Sequence, residues 1–181
     1  MAWGKTRILL GAVAVCAAAV TSIAPAAARY WQCAPYAREI SGVEIYGNAN
    51  TWWGQAAGRY ERGDTPEIGS VMAFKSHGKM RAGHVAMVSK IVSDREVRLT
   101  HANWSRGGQI ERDVRAVDVS EAGDWSKVKV WYASMGDLGL TTYPIYGFIY
   151  ARKSGDEPQR EPAVPEIRLA SIAGLIDGLR Q

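Results

Sequence analysis

Between residues 68 and 151 apolar and polar positions alternate with a period near two, the spacing of strands that bury one face. Residues 70–74 (SVMAF), 83–91 (GHVAMVSKI), 96–102 (EVRLTHA), 127–132 (KVKVWY) and 147–151 (GFIYA) carry the pattern and are rich in β-branched and aromatic side chains. Ser93-Asp94-Arg95 reads as a hairpin connection between the second and third of them. Upstream the pattern differs. Residues 33–40 open with Ala34, Pro35 and Ala37, a favourable helix start where Pro35 forfeits no hydrogen bond, and Gly42 ends the segment. Residues 50–60 (NTWWGQAAGRY) read as a second helix, followed by turn-rich residues 61–67. Helices first and an antiparallel sheet afterwards predict an α+β domain over residues 29–152, with no internal repeat.

Both ends of the chain break the pattern. Residues 1–28 read as a secretory signal: Lys5 and Arg7, an apolar run over 8–23, then the small residues Ala26-Ala27-Ala28 as a cleavage site. The run is short of the ~20 residues a spanning helix needs, so export is expected, with an uncleaved anchor as the second choice. Residues 153–166 contain Pro158, Pro162 and Pro165 among charges and read as an extended linker. After it, Ile167, Leu169, Ile172, Leu175, Ile176 and Leu179 recur at near-helical spacing. A C-terminal amphipathic helix over 167–181 is expected, either docked on its own domain or offered to a protein partner.

Composition sharpens this. At 47% hydrophobic and 22% charged the chain is globular rather than disordered, collagen-like or disulfide-dense. Removing the signal takes Lys5, Arg7 and Cys16 with it. The net charge of +4 falls by two, which removes the case for nucleic acid, and one cysteine remains, Cys33, without an intramolecular disulfide partner. A solitary thiol is an inert buried residue, an intermolecular bridge or a nucleophile. Position favours the last: at a helix N-terminus the macrodipole stabilises thiolate over thiol.

Cysteine catalysis also needs an imidazole to accept and return the proton, and a polar group to hold that imidazole. The chain has three histidines. His84 opens a strand directly after Gly83; His101 lies near the end of the next, with Asn103 two residues on and on the same face if the strand continues. His77 sits in a polar loop (KSHGKMR) and is the weakest candidate. A structural, hydrogen-bonded role is the bland alternative for each.

Three segments in order, Trp31-Gln32-Cys33-Ala34-Pro35-Tyr36-Ala37, Gly83-His84-Val85-Ala86-Met87-Val88 and His101-Ala102-Asn103-Trp104, resemble the signature regions of the CHAP domain family, the cysteine, histidine-dependent amidohydrolases/peptidases of the NlpC/P60 and papain-like grouping. Residues 50–54 (NTWWG) and 65–74 (TPEIGSVMAF) add supporting matches. The resemblance implies a papain-like α+β fold, with N-terminal helices packed on an antiparallel β-sheet. It implies Cys33 as nucleophile and His84 as general base and acid. Many CHAP domains carry Glu where this chain has His101, so His101 or Asn103 is the implied orienter, and a weaker base is expected than with a carboxylate.

The backbone amide of Cys33 and Gln32 are the implied oxyanion donors. Tyr36 and Trp104, with Trp31, Trp52 and Trp53, are candidate groove walls, although core packing is the stronger reading for Trp52 and Trp53. The implied substrate is peptidoglycan, cut at the amide between muramic acid and L-alanine or within the peptide, in the periplasm or at the surface of a bacterium. No cofactor or metal is called for. Two rivals remain: a catalytically inactive CHAP-like wall-binding or scaffold protein, and a zinc site on Cys33, His84 and His101, which lacks a nameable fourth ligand.

Overall fold

The computed structural model describes residues 29–155. The expected signal over 1–28 and the C-terminal helix over 167–181 lie outside the described residues, as does all of the expected linker beyond Gly155. Within them the order is α1 (Cys33–Ser41), a 3-10 turn (Ala49–Thr51), α2 (Trp52–Ala56), then β1 (Tyr60–Gly63), β2 (Val71–Phe74), β3 (His84–Ser93), β4 (Glu96–Ala102), β5 (Ile110–Asp118), β6 (Lys127–Tyr132), β7 (Asp137–Leu138) and β8 (Tyr143–Lys153). All strand pairings are antiparallel.

This corrects the α+β, papain-like expectation. The described residues are mostly β, 43% strand, with two short helices among them. Strands β2-β3-β4-β5-β6-β8 close into a six-stranded barrel, because the start of β8 pairs with β6 (Val128 opposite Tyr143) while its middle pairs with β2 (Val71 opposite Ile149). The expected helix over 50–60 shrinks to one 3-10 turn and five helical residues, and Tyr60 already begins a strand. Gly54 and Gly58 weaken a helix there, and burying Tyr60 favours the strand. Two more strands were unexpected: the two-residue β7, and β5, which reads IERDVRAVD and whose charges hide the alternation of Val114 and Ala116.

Alternation sorts the apolar residues into two cores. Met72 and Phe74 of β2, Ala86 and Val88 of β3, and Val97 and Leu99 of β4 fill the barrel. Val71, Ala73 and Val85 point outward and receive Ala34 and Ala37 of α1 together with Trp52 and Ala56 of α2. His84 continues the interior row of β3, and His101 that of β4. The helical layer therefore brings Cys33 against the outside of the strand whose inside carries His84.

Two glycines make the geometry feasible. Gly147 (φ +136) lies in β8 beside a register irregularity against β2, and a Cβ there would meet Gly63 O at 2.3 Å. Gly83 (φ +70) immediately precedes His84, and a Cβ there would lie 2.7 Å from the backbone nitrogen of Asn50. That contact is with backbone, so a flexible side chain cannot yield. Gly83→Ala is expected to cost about 2 kcal/mol or more and to lower Tm by about 4–8 °C. Gly54→Ala, within α2 and with open space around it, should leave Tm unchanged or raise it. Thermal unfolding of both variants checks the contrast.

Candidate active site

Cys33 is the first residue of α1, with Gln32 in extended conformation as the cap (φ −94°, ψ 153°). Its thiol is half-buried, and the backbone N–H groups of Val85, then of Ala34 and Cys33 itself, favour its ionised form. Val85 follows His84, so the thiol is seated at the start of β3. The N-terminal segment is tied down by Asn103: its Nδ2 donates to Gln32 Oε1 (2.8 Å), and its Oδ1 accepts from the Gly108 N–H (2.9 Å). Trp31 N–H adds a bond to Gly108 O at 3.2 Å.

His84 Nε2 and His101 Nδ1 lie 3.0 Å apart, both rings fully enclosed. The extended β3–β4 register places residue 103 opposite residue 84, so His84 and His101 are diagonal neighbours on one face. Asn103 does not share that face. β4 ends at Ala102, and Asn103 turns into the left-handed region (φ 61°), which carries its amide to Gln32.

Behind the pair is a residue that sequence reading missed. His101 Nε2 lies 3.0 Å from Glu111 Oε2, and Ser105 also favours the ionised form of the Glu111 carboxylate. The carboxylate expected to be missing from this site is present, one ring further back. Its placement depends on a bulge. From Glu96 to Leu99 the β4–β5 pairing is regular, Leu99 opposite Val114; it then shifts so that His101 faces Glu111. Without the shift His101 would face Arg112. The extra residue sits near Asp113, a non-glycine in the left-handed region (φ 53°), whose N–H donates to Thr100 Oγ1 at 3.3 Å. The sequence signal was faint: a turn at Gly107-Gly108 places residues 110–112 across from 101, but only the bulge chooses among them.

Trp104 covers the histidines, with its ring centroid 4.7 Å from that of His84 and 5.5 Å from that of His101, and its Nε1–H donates to Trp131 O. Its other side helps to wall a groove of about 600 Å³ lined by Met80, Tyr132, Met135, Leu140 and Tyr143. Tyr36 is buried against Trp31, edge to face. Trp52 is core, and Trp53 stacks on Tyr146. His77 lies on the groove rather than with the other histidines.

The electrostatics oppose a resting ion pair. Burial pushes the Cys33 thiol above its ordinary value, outweighing the N–H donors of α1 and β3. Burial, and then repulsion by His101, hold His84 well below the usual imidazole value. His101 is also lowered by burial, against the opposing pull of Glu111. Burial would raise Glu111, but hydrogen bonds from His101 and Ser105 outweigh it and keep the carboxylate ionised. The thiolate expected from the helix dipole gives way to a neutral thiol, and the imidazoles of His84 and His101 are held neutral as well.

The family model of the CHAP domain matches residues 25–103, a span that includes Gln32, Cys33, Tyr36, His84, His101 and Asn103. No curated protein matches the chain.

Two outcomes follow from these charge states. Alkylation of Cys33 by iodoacetamide at pH 7 should be slower than that of a free thiol and should climb steeply above pH 9, measured by mass spectrometry. Because both histidines are lowered, the unfolded chain binds more protons than the folded one below about pH 6.5. Stability should fall as pH drops from 6.5 to 5, and His84→Gln should lessen that fall in thermal unfolding.

Proposed function

Because the chain carries a domain of the CHAP family, we propose that it is an exported bacterial cell-wall hydrolase that cleaves an amide bond of peptidoglycan through a thioester on Cys33. CHAP domains are cysteine, histidine-dependent amidohydrolases or peptidases, and the family implies peptidoglycan as substrate. The observation that carries the reading is the seat of Cys33 at the start of α1, packed with Val85, the neighbour in chain of an imidazole whose Nε2 is held by His101. Residues 1–28 support export by their composition.

Each group has a definite part. Cys33 Sγ attacks the amide carbonyl while His84 takes its proton, so the charged pair forms only as the bond forms. The N–H of Cys33 and the Gln32 carboxamide, oriented through its oxygen by Asn103, face the developing oxyanion. His84 gives its proton to the leaving amine; water then attacks the thioester, and His84 takes and returns a second proton. Trp104 excludes water from the histidines, and the groove beyond it accommodates the substrate flanks. A neutral resting pair suits a dry site, where separated charge without a substrate would be costly.

The full chain incubated with purified peptidoglycan should release soluble muropeptides, and Cys33→Ser should reduce release at least 1000-fold. Mass spectrometry of the new termini distinguishes amidase from endopeptidase cleavage. Equal release by wild type and variant overturns the assignment, and retained peptidoglycan binding without release by either supports the inactive wall-binding alternative.

A further inference from the structure

We infer that Glu111 is a positioning residue of this site: through the array Glu111–His101–His84 its carboxylate sets the proton tautomer of both rings and so leaves His84 Nδ1 unprotonated, the state a general base needs. The inference rests on the hydrolase reading only for its kinetic consequence; the tautomers are a property of the folded chain.

The geometry requires one sequence of choices. A carboxylate accepts hydrogen bonds and donates none, so the proton between His101 Nε2 and Glu111 Oε2 belongs to the nitrogen. A neutral imidazole carries one N–H, so His101 Nδ1 is then an acceptor. The 3.0 Å contact with His84 Nε2 is consequently a bond donated by His84. His84 has then used its one N–H, and its Nδ1 holds a lone pair. Were the far carboxylate replaced by a group able to donate, each ring could reverse, and His84 Nδ1 would carry an N–H instead of a basic lone pair.

The same array serves the charged state. When His84 takes the Cys33 proton on Nδ1, the imidazolium donates from Nε2 to His101, which donates to Glu111; no proton need pass to the carboxylate. Charge-assisted hydrogen bonds of this kind are roughly twice as strong as neutral ones. The Glu111 side chain is 9% exposed, so water competes little for it. The bulge near Asp113 puts this acid, rather than Arg112, opposite His101. A strand irregularity next to a buried polar array is the pattern expected where backbone strain re-aims a side chain.

The test uses the full chain labelled with 15N in its three histidines. At neutral pH the ring nitrogens of His84 and His101 should both report the Nε2–H tautomer without any substrate. Glu111→Gln should populate the reversed tautomer, lower kcat tenfold or more and leave KM within twofold. In a His101→Glu background, where a carboxylate meets His84 directly, the same Glu111→Gln change should cost less than twofold. Equal losses in both backgrounds would assign Glu111 a merely structural role and overturn the inference. So would an Nδ1–H tautomer on either ring in the unaltered chain, a measurement that stands even if Glu111→Gln does not fold. A chain that hydrolyses nothing but shows both Nε2–H tautomers sinks the hydrolase reading and leaves the array intact.

Discussion

A carboxylate pressed against the back of two buried histidines is the interaction on which the site depends. Two imidazoles enclosed in a barrel would together be poor bases, since each loses its water and repels the charge of the other. Glu111 offsets part of the cost of burial at His101 and, through the chain of hydrogen bonds, gives each ring one orientation. The rest of the fold supplies what that array needs. Closure of the barrel keeps the rings dry, Trp104 covers them, and the helical layer seats a thiol at the start of the strand that carries His84.

Burying three polar side chains in this way is costly unless each is satisfied, and here each partner satisfies the next. The neutral resting state follows from the same accounting. A thiol at a helix N-terminus gains from the dipole, but α1 has only nine residues and its first turn is packed against Val85, so lost solvation is the larger effect. In the proposed mechanism charge is created only when an incoming carbonyl provides somewhere for it to go. Reactivity in such a site resides in the complex rather than in the free thiol.

Much of this was legible in the chain, and what was not has identifiable causes. The start of α1 at Cys33 and the strand over Glu96–Ala102 follow from capping and alternation, both local signals. The motifs around Cys33, His84 and His101 point to the family. The architecture did not follow, because closing a sheet depends on β8 pairing with both β2 and β6, a long-range choice that no local period encodes. β1 and β5 were hidden by charged residues on their solvent faces. Asn103 looked like a same-face neighbour of His101 only if β4 continued; its left-handed backbone ends the strand and sends its amide to Gln32. Glu111 was invisible because a one-residue bulge decides which of two oppositely charged neighbours faces His101.

The central claim is covalent: an acyl group resides on Cys33 between two chemical steps. Acid-quenched mass spectrometry of the full chain mixed with peptidoglycan fragments tests it most directly. An adduct on the peptide containing Cys33, with the mass of one cleavage fragment and released by hydroxylamine, is the expected result. Cleaved fragments with no adduct on that peptide, or an adduct on a different residue, would contradict it.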